Sequence, residues 1–249
     1  MDSVTQEEPP PQVRVAAVMS TPRLGFLSTM ECAAVGTLKF QVPLMRCEGA
    51  FWHHSLTRAI EGVLEAGAEM VLTIDYDSVF CSAQGDDDIA KLVYSMCVNP
   101  GIEVLVPMQM KREGGPLIAT TNGGVDVTQP FVPIIAGNFG LTLIRATVFD
   151  RINKPWFWER PSPDGSWGEN RIDADMGFWQ NCRERNIGVY MAMDIPIGHL
   201  EQVVSWPGQN MGPIYQSVND WRQNGRPATL WKRSDATQAA LAQLDMGGE

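Results

Sequence analysis

Two aspartates stand one residue apart, directly after a short apolar run in the first half of the chain. The run covers residues 71–74, and Asp75 and Asp77 follow it. On an extended segment, side chains at positions i and i+2 point to the same face. The two carboxylates can therefore converge on one hard cation at the carboxyl end of a buried strand, where open α/β sheets bind ligands. Acidic pairs are also common in solvated turns, so the rest of the chain must decide between these readings.

The composition restricts the class of protein in which such a site would work. The chain has 249 residues, of which 44% are hydrophobic and 19% are charged, as in globular proteins. Its formal net charge of −10 disfavours nonspecific binding to nucleic-acid phosphates or anionic membranes as the main activity. An anionic substrate would need a metal ion or a local cluster of Arg and Lys to offset that charge.

The cysteines and the N-terminus indicate a cellular location. The five cysteines are scattered and include no Cys-x-x-Cys pair, which disfavours a zinc site or a disulfide framework. Residues 1–12 contain a Pro-Pro-Pro run and lack the features of a signal peptide, and no apolar run reaches the roughly 20 residues that cross a bilayer. We therefore expect a disordered leader over residues 1–12 and a cytoplasmic protein.

Helical and extended patterns alternate along the chain. Apolar runs predict strands at residues 13–19, 71–74, 104–107 and 189–193. Apolar residues at helical spacing predict helices over residues 51–67, 86–98 and 175–185. This alternation is typical of an α/β sandwich with a largely parallel sheet. We expect one domain over residues 13–232 and an Ala/Gln-rich tail over residues 233–249 that can form a helix.

Five segments, in this order, resemble those of GT-A-type glycosyltransferases with family 2-like sequences. They are Met19-Ser20-Thr21-Pro22, residues 65–77, residues 137–157, the run Asp173-Ala174-Asp175-Met176-Gly177-Phe178-Trp179, and the run Asp194-Ile195-Pro196-Ile197-Gly198-His199. The resemblance covers roughly residues 13–200. It implies a GT-A fold, which is a Rossmann-like nucleotide-binding α/β/α sandwich, and a metal-dependent transfer of a hexose from a nucleotide sugar.

The resemblance also implies a metal site. Asp77 would bind Mn²⁺ or Mg²⁺ directly, and Asp75 would contact the metal through water or hold the ribose or sugar of the donor. His199 would be a late histidine ligand of the same ion, although a lone histidine is more commonly a structural hydrogen-bonding residue. A divalent cation on the diphosphate stabilises the negative charge that develops as the glycosidic bond breaks.

A general base is implied by the block around Asp175. An inverting transfer needs a base that removes the proton of the acceptor hydroxyl. Asp175 stands at the position of the family aspartate, and Asp173 is the nearby alternative. Ala174 departs from the family pattern, which commonly has Glu there. A structural role explains the two aspartates equally well: Asp173 can cap the helix that follows, and Asp175 can be an acidic residue of its first turn.

Five positions are expected to contact the nucleotide-sugar donor in addition to Asp75 and the metal. Thr21 ends the first strand, and Arg112 resembles the family's basic position after the third strand, from which it can reach a phosphate. Gly137, Asn138 and Gly140 indicate a loop whose backbone passes close to a sugar, although a tight turn before a strand explains them equally well. The Arg-Asn pair that many relatives carry before the Asp-x-Asp segment is missing.

The aromatic residues Trp156, Phe157 and Trp158, with Trp167 further along the chain, have two interpretations. Aromatic rings can stack on an acceptor sugar or nucleobase, and they are also ordinary core residues. We expect at least two of the cluster to lie in the core.

The sequence leaves three functions open. The first is an inverting glycosyltransferase that moves a hexose from a UDP- or GDP-linked donor to a hydroxyl of a glycan, a protein, a small molecule or a modified nucleobase. The second is a nucleotidyltransferase, which is expected to carry a Gly-rich basic loop after its first strand. The third is a degenerate GT-A domain that acts as a non-catalytic sugar-binding or scaffold protein.

Overall fold

The computed structural model describes residues 13–21, 25–80, 87–112, 115–124, 126, 128–168, 170–208 and 212–230. The chain divides into two compact units, the first of which ends at Leu200 and the second of which begins at Glu201. The expected leader and tail lie outside the described residues, so these boundaries stay predictions. Among the described residues, no helix is long and apolar enough to cross a bilayer.

Strands and helices alternate through the first unit, as the sequence pattern predicts. In chain order they are β1 (Val15–Thr21), α1 (Leu27–Lys39), β2 (Leu44–Glu48), α2 (Trp52–Glu65), β3 (Met70–Ile74), β4 (Ser78–Val79), α3 (Asp88–Val98), β5 (Val104–Met108), β6 (Phe131–Pro133), β7 (Leu143–Arg145), α4 (Ala146–Arg151), α5 (Ala174–Glu184), β8 (Val189–Pro196) and β9 (Gly198–His199).

Seven of these strands form one sheet in the order β2-β1-β3-β7-β5-β8-β6. β2, β1 and β3 are parallel, and β5 is parallel to β8. β7 and β6 run antiparallel to their neighbours, so five of the seven strands point the same way. The predicted α/β fold class with a mostly parallel central sheet is confirmed, and the architecture is consistent with the GT-A type that the resemblance implies.

The sheet has a hydrophobic core on each face. Successive residues of β1 alternate between them: Ala16 and Val18 lie in the core with α2 and α5, whereas Ala17 and Met19 lie in the core with α1 and α3. Every residue of β3 is buried, as expected for a strand covered on both faces. The result is a three-layer sandwich in which the strand ends remain free to carry polar side chains.

The aromatic cluster lies mainly in the core that contains α2 and α5. Trp156 and Phe157 are 4% and 3% exposed and belong to that core, as the sequence predicts for at least two of the cluster. Trp158 is half-buried. Its carbonyl oxygen lies where a Cβ on Gly177 would stand, so glycine at this position allows the segment before Glu159 to approach α5 closely.

The second unit is a hairpin followed by a short helix. β10 (Val203–Pro207) pairs in an antiparallel register with β11 (Pro213–Ser217), and α6 (Val218–Asn224) follows directly. Ser217 caps α6 by accepting a hydrogen bond from the N–H of Asp220 at 3.0 Å.

Candidate functional site

A cleft of about 430 Å³ lies beyond the carboxyl ends of β3 and β5. Seven of the residues that the sequence predicts for the site line it: Asp75, Arg112, Gly137, Asn138, Asp173, Asp175 and His199. These residues come from distant parts of the chain and meet in one cleft. The other three predicted residues, Thr21, Asp77 and Gly140, do not line it.

Asp77 lies at the base of the predicted metal site and is only 1% exposed. It precedes β4, which pairs with β9 so that Ser78 stands opposite His199. This pairing places the carboxylate of Asp77 and the ring of His199 side by side, with 3.2 Å between Oδ2 and Nε2. Arg112 completes the group, because its Nη2 lies 2.7 Å from the same Oδ2.

The ring of His199 has two different environments. Its Nδ1 lies 3.0 Å from the carbonyl oxygen of Met110. Its Nε2 lies 3.2 Å from Oδ2 of Asp77 and 3.0 Å from Nε of Arg112, so it donates to Asp77 when it is protonated and accepts from Arg112 when it is not. The hydrogen bond to Asp77 raises the pKa of His199 above its ordinary value, while burial opposes that shift. A histidine that binds metal commonly donates its other N–H to a carbonyl, as the contact with Met110 allows here.

Asp77 and His199 supply part of the ligand set that a divalent cation needs. Oδ1 of Asp77 is buried and has no hydrogen-bond partner within the described residues, so one carboxylate oxygen is unsatisfied. The described part of the chain contains no group of three or more His, Cys, Asp and Glu side chains that could hold a metal ion. Asp77 and His199 are therefore the available pair, and substrate phosphates and water would complete the coordination, as is common for Mg²⁺.

Asp75 lies at the end of β3 and lines the cleft. Burial and the nearby charge of Asp77 raise the pKa of Asp75 from 3.8 to about 6, while the N–H of Tyr76, which donates to Oδ1 at 2.9 Å, opposes the shift. Near neutral pH the protein thus holds two close carboxylates with one guanidinium against Asp77. A bound cation would relieve the repulsion between them.

The raised pKa of Asp75 predicts a pH dependence of stability. Between about pH 4 and pH 6 the native state retains a proton that the unfolded chain has lost, so the free energy of unfolding should fall as pH rises through this window. Above pH 6 the cost should reach at most about 3 kcal/mol. In EDTA, Asp75→Asn should remove the part of the slope that Asp75 carries and be about 1–3 kcal/mol more stable than the wild type at pH 7.5. Urea unfolding from pH 4 to pH 8 measures this.

The control for this pH series is Asp150→Asn, because Asp150 is an exposed carboxylate on α4. It should keep the wild-type slope. An Asp75→Asn variant that keeps the same slope as the wild type would show that Asp75 does not carry the cost.

Asp173 and Asp175, the two residues predicted for the general base, lie at the start of α5 and line the cleft. Burial raises the pKa of Asp175 above its ordinary value, and the N–H of Met176, which donates to Oδ1 at 2.8 Å, opposes the shift. Asp173 occupies the N-cap position but makes no side-chain cap, and its carboxylate instead pairs with Nε of Arg171 at 2.6 Å. Of the two, Asp175 is thus the carboxylate without a cationic partner among the described ion pairs.

The predicted donor loop is held by protein contacts. The Asn138 side chain donates to the carbonyl of Pro107 at 3.0 Å and accepts from the N–H of Gly140 at 2.9 Å. A Cβ on Gly137 would overlap Val106, and one on Gly140 would overlap the Ser78 hydroxyl. Packing therefore accounts for the two glycines, and donor contact by this loop stays a prediction. Thr21 is buried at the end of β1, next to the strand that carries Asp75.

Sequence reasoning missed two residues of the cleft, Gln109 and Glu159. Gln109 is buried, and its Nε2 donates to Oγ of Ser78 at 3.0 Å and to the carbonyl of Gly198 at 3.3 Å. It thereby ties together the short strands that carry Asp77 and His199. Glu159 lines the cleft from the segment after the aromatic cluster. No motif marks either residue, because the contacts of Gln109 and the position of Glu159 are created only by the fold.

No protein-family model matches the chain, and no curated protein matches it. Among solved structures, the chain is similar to A197 from STIV, with 13% identity and a TM-score of 0.55 over 81% of this chain and 94% of that one. It is also similar to the mannosyltransferase PcManGT from Pyrobaculum calidifontis in complex with GDP-Man and Mn²⁺, with 12% identity and a TM-score of 0.46 over 75% of this chain and 56% of that one.

A third similar structure is a glycosyltransferase involved in the glycosylation of the major capsid of PBCV-1. The identity is 13% and the TM-score is 0.34, over 54% of this chain and 62% of that one. At these identities a likeness concerns the fold alone, and the likeness to A197 is the one with a TM-score above 0.5 among these three.

Proposed function

We propose that this protein is a metal-dependent glycosyltransferase that moves a hexose from a nucleoside-diphosphate sugar to an acceptor hydroxyl with inversion. One observation carries the proposal: a single cleft is lined by Asp75, by His199, whose Nε2 lies 3.2 Å from Oδ2 of the buried Asp77, and by the carboxylate of Asp175, which has no described cationic partner. Asp75, Asp77 and His199 would serve the binding of a diphosphate, and Asp175 would serve the activation of a hydroxyl.

Asp77 and His199 would hold a divalent cation, Mn²⁺ or Mg²⁺, which supplies positive charge to the leaving nucleoside diphosphate. The unsatisfied Oδ1 of Asp77 and the Nε2 of His199 are the atoms suited to that task. Asp75, at the end of β3, would orient the donor sugar or ribose, or contact the ion through water.

In this proposal Arg112 pairs with Asp77 in the free protein and binds the phosphates when the donor enters. Its guanidinium lies against both Asp77 and His199 and is 49% exposed, so it neutralises the pair and still faces the cleft. When a diphosphate enters, the guanidinium can leave Asp77 and bind the phosphate oxygens in the paired geometry that Arg favours. The exchange would keep the buried Asp77 carboxylate paired, with Arg112 in the free protein and with the cation in the complex.

Asp175 is the proposed general base. Its carboxylate accepts the proton of the acceptor hydroxyl, the hydroxyl oxygen forms a bond to the anomeric carbon, and the bond from that carbon to the diphosphate breaks with its electrons on the leaving group. A pKa raised by burial makes the carboxylate a stronger base than a solvated aspartate.

Thermal unfolding with nucleotide sugars tests the proposal directly. We expect a UDP- or GDP-linked sugar to raise the melting temperature with Mn²⁺ present, because a ligand that binds only the native state stabilises it. The same sugar should give a much smaller increase in EDTA. GDP-mannose, which PcManGT contains, belongs in the panel. If no nucleotide sugar changes the melting temperature with Mn²⁺ present, the proposed function is wrong.

A further inference from the structure

A second cavity, of about 700 Å³, lies beside the cleft. It is bounded by residues 49–58 around the start of α2 and by residues 155–159. Glu159 lines both spaces, so the cavity and the cleft share a wall. The proposed metal, donor and base residues lie in the cleft or beneath it, which leaves this cavity without a role.

The cavity contains the N-terminus of α2, a helix of 14 residues. Phe51 at the N-cap position makes no side-chain cap, and the first turn has no acidic residue. The helix's hydrogen bonding begins with the N–H of Ser55, which donates to the carbonyl of Phe51 at 3.2 Å. The N–H groups of the preceding turn therefore lack intrahelical acceptors, and the positive end of the helix dipole faces no anionic side chain of its own turn.

The hydroxyl of Ser55 is a separate indication of an anionic ligand. Ser55 is completely buried and lines the cavity, and its Oγ has no hydrogen-bond partner within the described residues. An unsatisfied buried hydroxyl destabilises the fold, and an oxyanion at the start of α2 would accept its proton.

Arg58 lies one turn further along the same wall. Its Nη2 donates to the carbonyl of Glu48 at 3.1 Å, and the guanidinium has further N–H groups available for an anion. Burial lowers the pKa of His53, with the charge of His54 acting in the same direction. Arg58 and the helix end supply positive charge to the cavity.

Aromatic rings form the rest of the cavity. Phe51 is 62% exposed, and its ring centre lies 5.4 Å from that of His54. Trp158, half-buried, lines the cavity from the segment that ends at Glu159. Apolar ring faces beside a few polar groups suit a ligand with both a ring and a charge, and the volume exceeds what a bare phosphate fills.

We propose that this cavity binds the acceptor, and that the acceptor is a sugar that carries an oxyanion, either a phosphate or a carboxylate. The anion binds at the N-terminus of α2 with Ser55 and Arg58, the sugar ring lies against the aromatic rings, and its hydroxyls reach the boundary with the cleft at Glu159. This inference rests on the proposed glycosyltransferase function and adds the chemical class of its acceptor.

Calorimetric titration of the full chain without donor tests this assignment. Glucose 6-phosphate and glucuronate are the two probes, because they separate a phosphate from a carboxylate. We expect one of them to bind, Arg58→Gln to weaken it about tenfold, and Ser55→Ala to weaken it a few-fold. Ser55→Ala should unfold at the wild-type temperature or above, since it removes an unsatisfied hydroxyl. The control Arg46→Gln, on exposed β2, should bind like the wild type.

The same variants are then titrated with the nucleotide sugar and Mn²⁺, and all should bind the donor normally. If neither probe binds while the donor does, the acceptor assignment is overturned and the proposed function stands. If Arg58→Gln weakens the donor instead of the probes, the cavity belongs to the nucleotide, and the assignment is again overturned. If inorganic phosphate binds as tightly as glucose 6-phosphate, the sugar part of the assignment is wrong.

Discussion

Asp77→Asn is expected to abolish metal-dependent binding of the nucleotide sugar and to reduce transfer to background. The substitution keeps the shape of the side chain but removes the charge that faces Arg112 and His199. Residues that only orient metal ligands contribute 10- to 100-fold to metal affinity, so loss of a direct ligand should weaken binding by at least about 100-fold. Calorimetric titration with Mn²⁺ and donor, after circular dichroism shows a folded variant, measures the effect.

Arg112→Gln is the matched comparison for Asp77→Asn. It leaves both proposed metal ligands and removes only the guanidinium that contacts them. Mn²⁺ should therefore still support donor binding, with an affinity reduced about tenfold through the lost phosphate contact. Equal losses in the two variants would indicate an ion-pair role for Asp77, without a metal.

Asp175→Asn should reduce transfer by about 10²- to 10⁴-fold and leave donor binding unchanged. The carboxylate contacts the N–H of Met176 and no described cation, so an amide of the same shape preserves the local structure. The proton of the acceptor hydroxyl, however, then has no base to receive it. Steady-state transfer together with donor titration separates the two effects, because the loss should fall on kcat and not on donor affinity.

Asp173→Asn is the control for Asp175→Asn. Asp173 is exposed and pairs with Arg171, so its substitution should change the transfer rate only a few-fold. A larger loss with Asp173→Asn than with Asp175→Asn would assign the base to Asp173. Loss of donor binding in Asp175→Asn would contradict the base role altogether.

Elements with strong periodic patterns were predictable from the sequence. α2 places Leu56, Ala59, Ile60 and Val63 on one buried face, and β3 is a buried strand in which four of the five residues are apolar. In both cases local pattern and burial agree, so the prediction requires no knowledge of the rest of the chain. The α/β class then follows from the alternation of such elements.

Other elements carried too little local signal. α1 has no side-chain cap, and it exposes Leu27 and Leu38, so its pattern does not show which face is buried. β7 has three residues and runs against its neighbours inside an otherwise parallel region. Its direction depends on pairing with β3 and β5, which short strands do not encode locally.

The candidate site also has parts that were predictable from the sequence and parts that were not. The Asp-x-Asp pair alone is a weak signal, and it predicted a metal site because it follows a buried strand and precedes the Asp175 block and His199 in the order of the resemblance. That Arg112 lies against Asp77 and His199, and that Gln109 ties β4 to β9, are results of contacts between segments far apart in sequence. Side-chain directions of this kind depend on the tertiary structure.

The most direct test is a crystal structure with Mn²⁺ and a nucleoside diphosphate, with diffraction data collected at the manganese absorption edge. An anomalous peak should lie between Asp77 and His199, the diphosphate should bind the same ion, and Arg112 should have moved from Asp77 to the phosphates. A diphosphate bound without an anomalous peak, with Arg112 still on Asp77, would contradict the metal-dependent mechanism. A diphosphate bound outside this cleft would contradict the site itself.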